Sequence, residues 1–75
     1  MAENIVTIRS EIGALVWKIA VPAGTALAED DTIIILESMK MEIPIMAPHA
    51  GTVVEILVAE GQQVEEGQAV ATFRP

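Results

Sequence analysis

The sequence contains no cysteine, which excludes disulfide frameworks, thiolate zinc sites and thiol catalysis. A secreted domain this small usually carries disulfide staples, so their absence points to a cytoplasmic setting. The N-terminus shows no basic segment followed by an apolar core, and no signal peptide is expected. Long apolar runs are also missing. None exceeds four residues, as at Ile33 to Leu36, far short of a membrane span. Positive charge is scarce: Lys and Arg number 4 against 11 Asp and Glu, a formal net charge of −7. So few basic groups cannot neutralise many phosphates, which argues against nucleic acid and against anionic membrane surfaces. The charge is read as a source of solubility. Aromatic residues are reduced to Trp17 and Phe73, so the core must come from Ile, Val, Leu, Met and Ala. Helical periodicity is absent too: turn signals interrupt every stretch of roughly ten residues before a 3.6-residue period can establish itself.

What is present is an apolar chain, 52% hydrophobic over 75 residues, enough for a single small domain spanning 1–75 and too apolar for disorder. Its many Ile and Val residues favour strands. The chain also repeats. A shift of 37 residues brings Trp17–Leu36 into register with Val54–Phe73. Ile19 then meets Ile56, Val21 meets Val58, Gly24 meets Gly61, Leu27 meets Val64, Glu29 meets Glu66 and Ile33 meets Val70. Gly13 and Gly51 pair only if one residue is skipped. Each copy opens with an alternating strand that places Trp17, Ile19 and Val21, or Val54, Ile56 and Val58, on one face; Trp17 is thereby assigned to the core. Turns follow at Pro22-Ala23-Gly24 and at Glu60-Gly61, then short apolar pieces at Leu27 and Val64. Asp30 stands where the second copy has Gly67, a sign of a position needing φ > 0. The copies close with strands at Thr32–Glu37 and Ala69–Phe73. The fold class expected is all-β: a small flattened barrel or sandwich of two quasi-symmetric four-stranded halves.

The join between the copies reads Glu37-Ser38-Met39-Lys40-Met41-Glu42, flanked by the apolar runs Ile33 to Leu36 and Ile43 to Met46. This pattern predicts a hairpin with Lys40 in or beside its tip. By the logic of the repeat, the chain ends occupy the equivalent place, so the Lys40 turn and the two termini should lie at opposite ends of the molecule. Tight hairpins prefer Asn-Gly or Asp-Gly because primed turns need φ > 0. In such a turn, residues like Met39 and Lys40 cost on the order of 1 kcal/mol or more each. A strained, methionine-bracketed lysine is a poor structural choice and therefore a functional candidate. Exposed methionines make adaptable contacts.

Glu37-Ser38-Met39-Lys40-Met41 resembles the biotin-acceptor signature of biotin carboxyl carrier domains, E-(A/S)-M-K-M. Ala47-Pro48-His49-Ala50-Gly51 resembles the A-P-x-x-G stretch of the same family, and Gly24 and Gly61 match its turn glycines. The resemblance covers nearly the whole chain. It implies that a biotin protein ligase attaches biotin to the ε-amine of Lys40 through an amide, with Glu37, Ser38, Met39 and Met41 as the residues recognised beside it. It further implies that a biotin carboxylase loads a carboxyl group onto the ureido ring and that a carboxyltransferase passes it to an acceptor such as an acyl-CoA. The chain would then be a non-catalytic carrier, a monomer when isolated. Schiff-base and general-base lysines are buried or sit beside another cation. Lys40 has carboxylates for neighbours, so activation is expected from the ligase. Val16–Gly24 matches Val53–Gly61 in length, which resembles the carriers that lack a "thumb" insertion in their first half.

Other residues suit plainer roles. His49, the lone histidine, has no partners for a metal site and follows a proline in a loop. Glu29, Glu65 and Glu66 are solvated turn residues of the two copies. Pro44 marks an edge strand or a strand end. The alternative function is that of a lipoyl or dual biotin/lipoyl attachment protein on the same fold; lipoyl lysines typically follow Asp and lack flanking methionines. An unmodified interaction module is a third reading.

Overall fold

A computed structural model describes residues 4–75. The elements are all strands: β1 (Val6–Arg9), β2 (Ala14–Ile19), β3 (Ala26–Leu27), β4 (Thr32–Ser38), β5 (Met41–Met46), β6 (Gly51–Ile56), β7 (Gln63–Val64) and β8 (Ala69–Arg74). They form two four-stranded antiparallel sheets, ordered β1-β8-β6-β3 and β5-β4-β2-β7. Moving four elements along the chain converts one order into the other, so the duplication in the sequence is a duplication of sheets. β1 and β5, whose bounds the sequence left open, complete the halves.

The interior follows the same rule. Val16 and Val53 are fully buried, as are Ile33 and Val70, Ile34 and Ala71, and Leu36 and Phe73. Ser10 and Ala47, also 37 residues apart, are each 1% exposed. The Ser10 hydroxyl donates to the Ile12 carbonyl, which satisfies the buried polar group. The two halves are tied by mirrored backbone bonds: the Gly24 amide donates to Val53 and the Gly61 amide to Val16, both at 2.7 Å. Gly24 and Gly61 have φ of 91° and 89°, and Asp30 and Gly67 have 71° and 82°. The left-handed turn expected at Asp30 is present, held by an Asp30 amide bond to the Ala47 carbonyl that matches Gly67 to Ser10.

Two expectations are corrected. Trp17 lies outside the core, 47% exposed. The β2–β4 register slips between Val16 and Lys18, a bulge that makes Trp17 the extra residue and turns it to solvent. The same slip occurs between Val53 and Glu55, which leaves Val54 half-buried. The inward set is therefore Ala14, Val16 and Ile19. The skipped residue between Gly13 and Gly51 also disappears: β2 begins at Ala14 and β6 at Gly51, in unbroken register. Bulges at Ile33 and Val70 likewise explain why two consecutive residues of β4 and of β8 point inward.

The principal extents are 42 × 19 × 17 Å. β3, joined to the start of β4, pairs with Gly51 and Thr52, and Thr52 pairs with Arg74 at the end of β8. Val6 at the start of β1 pairs with Phe73. β1 thus starts and β8 thus ends where β4 begins, and β4 runs from there toward Lys40. The lysine turn and the described ends of the chain lie at opposite ends, as the repeat requires.

Candidate functional site

β4 and β5 pair residue by residue toward the tip: Leu36 with Ile43, Glu37 with Glu42, Ser38 with Met41. Only Met39 and Lys40 remain for the turn. Their φ values are 51° and 66°, the left-handed pair of a type I′ hairpin. Neither is a glycine, so the strain anticipated from the sequence is real. The turn closes because two strands of branched apolar residues fix its register from behind, with Ile34 and Leu36 buried and Ile43 and Ile45 packed against the core.

The strained turn holds its side chains in the open. Met39 is 92% exposed and Met41 66%. Lys40 is exposed, and among the described residues no hydrogen bond or ion pair engages its amine. Glu37 and Ser38 are half-buried at the base of the tip. Every residue singled out at the join is therefore gathered within one turn and its two flanking pairs. Glu42 joins them. It faces Glu37 directly across the hairpin, and like charges opposed on a strand pair disfavour stability. That position was legible from hairpin pairing alone once the turn was fixed at two residues.

The remaining candidates stay apart from the tip. His49 is exposed, its ring 5.6 Å from that of Phe73 at a tilt of 55°, beside the chain-end region. Glu29, Glu65 and Glu66 are exposed in the two equivalent turns. Those turns share one bond: the Asp31 carboxylate accepts from the Ala28 amide and the Gln68 amide oxygen from Glu65, both at 3.0 Å. Among the described residues no group of three or more His, Cys, Asp or Glu could hold a metal ion. Pro44 sits on β5, the edge of its sheet, where its missing amide breaks no ladder. The stretches Val16–Gly24 and Val53–Gly61 run equally long, each ending in a glycine at φ near 90°.

A family model described as biotin-requiring enzyme matches residues 5–73. The Mycobacterium leprae biotinylated protein TB7.3 homolog is 39% identical over 73 residues, which span 97% of this chain and 99% of that one. The Bacillus subtilis biotin/lipoyl attachment protein is 41% identical over 64 residues, 85% of this chain and 88% of the relative. Among solved structures, a single-chain, multi-domain long-chain acyl-CoA carboxylase superposes with a TM-score of 0.90 at 28% identity, over 99% of this chain and 8% of that one. With the match running through both copies of the repeat and across the lysine turn, the chain belongs to the biotin/lipoyl attachment family.

Proposed function

We propose that the chain, as one attachment domain over residues 1–75, is a biotin carboxyl carrier with biotin joined to Lys40. The observation that carries this reading is the turn itself: a lysine at φ 66°, between two exposed methionines, at the far end from the paired Val6 and Phe73. The residues suit the group. The amine is open to an incoming enzyme, the hairpin ladder keeps the backbone beneath it in place, and Met39 and Met41 offer flexible apolar contacts on either side. Attachment forms an amide between Nζ and the carboxyl carbon of biotin; the activating group departs from that carbon, and the amine gives up a proton. Once bound, biotin supplies a ureido nitrogen that takes up and releases a carboxyl group.

In this reading the chain's own residues present and position, and catalyse no step. A biotin protein ligase activates biotin for Lys40, and a biotin carboxylase and a carboxyltransferase use the tip in turn. Likeness to part of a multi-domain acyl-CoA carboxylase supports those two partners and an acyl-CoA as acceptor. A monomeric state and a cytoplasmic location belong to the same proposal, the latter supported by the absence of cysteine. The lipoyl alternative shares the fold, and the two bracketing methionines favour biotin over it.

The test is intact-mass spectrometry after co-expression with a biotin ligase in excess biotin. The chain should gain one biotinyl group, and Lys40→Arg should gain none. A lipoyl-sized gain, or no gain in the unaltered chain, overturns the assignment.

A further inference from the structure

The two sheets differ most on the sides they turn to solvent. On the sheet that carries Lys40, the outward positions include Leu15, Trp17, Ile35, Pro44 and Met46. Register joins them into one strip: Lys18, next to the bulged Trp17, faces Ile35, and Ile35 faces Pro44. Trp17 and Met46 are each 47% exposed. At the positions 37 residues away, the outer side of the other sheet carries Thr52, Val54, Thr72, Thr7 and Arg9, with Thr52, Val54 and Thr72 half-buried. A scaffold with matching interiors thus carries a continuous apolar strip, interrupted by Lys18, on the sheet whose hairpin ends in Lys40, whereas the exposed Ile5 and Leu57 of the other half lie just beyond the ends of β1 and β6. An exposed tryptophan among aliphatic side chains has the composition of a contact surface.

We propose that this strip docks the biotin protein ligase that acylates Lys40, against a surface of that enzyme that is apolar with a basic rim. The inference rests on the biotin-carrier reading. Two features select this occupant. First, the strip is continuous with the tip, because Leu15 faces Glu37 and Glu37 faces Glu42. Before modification the reacting amine lies only one lysine side chain from the backbone, so the enzyme that acylates it must press against the hairpin and its surroundings. Partners that work at the far end of the finished biotinyl arm can stand further off. Second, the carboxylates of Glu37 and Glu42 line the passage from strip to tip in a chain of net charge −7, which calls for basic groups opposite.

The test replaces strip residues with those the other sheet carries at equivalent positions: Trp17→Val and Ile35→Thr, singly and together, with Thr7→Ala and Thr52→Ala as controls. Folding is checked by thermal melting. Biotinylation of the purified apo chain is followed at varied chain concentration. The double variant should raise KM for the chain by roughly tenfold, the effect of losing a large aromatic anchor, with kcat nearly unchanged. The controls should leave both constants alone. Trp17 emission should also shift when the ligase is added to the unaltered chain. Unchanged KM in a folded double variant overturns the docking face while leaving the carrier reading intact. Slower carboxyl transfer with an unchanged ligase KM overturns it too and assigns the strip to the carboxylase. No product from the unaltered chain overturns both.

Discussion

Leu36 and Phe73 occupy the same place in the two halves, buried to 1% and 0% exposure, yet one is aliphatic and the other a ring. The difference is absorbed next door. Two residues earlier on the same strand, Ile34 in the first half becomes Ala71 in the second. At the head of the neighbouring strand, Ala14 becomes Gly51. A side chain on Gly51 would press on the Arg74 carbonyl, and its first carbon would lie 2.7 Å from the Phe73 ring. The repeat therefore preserves positions and lets individual sizes trade, as close-packed interiors demand.

The comparison can be broken most severely at the ring. Phe73→Ala should cost about 3–5 kcal/mol in urea unfolding, because it empties the one large volume around which its half is arranged. Gly51→Ala should cost about 1–3 kcal/mol by overpacking, and adding Phe73→Leu should recover only the share owed to the ring, because the Arg74 carbonyl still crowds the new carbon. The double-mutant cycle sharpens the point: a strongly non-additive result supports volume exchange, and simple additivity contradicts it. In the first half Ala14→Gly should cost about 1–2 kcal/mol, the ordinary penalty of a strand glycine plus one lost buried methyl. The smallest change tests the tip. Met39→Asn should stabilise the fold by about 1 kcal/mol, since Asn accepts positive φ and the 92% exposed methionine forfeits no packing. Melting should register the gain while the rate of biotinylation falls. A faster-modified, more stable variant would remove the functional reason for the strain.

Much of this architecture was legible because its signals were local. Glycines 37 residues apart marked turns, Asp30 in register with Gly67 announced a left-handed residue, and an apolar hairpin without turn-forming residues exposed Lys40 as an anomaly. The bulge at Trp17 was hidden for a physical reason. Ala14, Leu15, Val16 and Trp17 are all apolar, so alternation could not distinguish the two faces, and counting back from Ile19 placed Trp17 inside. One inserted residue reverses that phase. The pairing of Gly13 with Gly51 failed similarly: Gly51 is a glycine because the Arg74 carbonyl and the Phe73 ring crowd it, a tertiary cause with no trace in local sequence. Within the site, Lys40 and its methionines could be read directly. The opposition of Glu37 to Glu42 needed the turn length, which only pairing supplies.

The closeness of the start of β1 to the end of β8 has a topological meaning. Traced through both sheets, the described backbone is a ring cut once, between β8 and β1, where the other half has the β4–β5 hairpin. A short linker across the ends would close the ring, and the chain could be reopened at one of its exposed turns as a circular permutant. Such a molecule could carry a second lysine turn at its opposite pole, turning a one-armed carrier into a two-armed one without redesigning its interior.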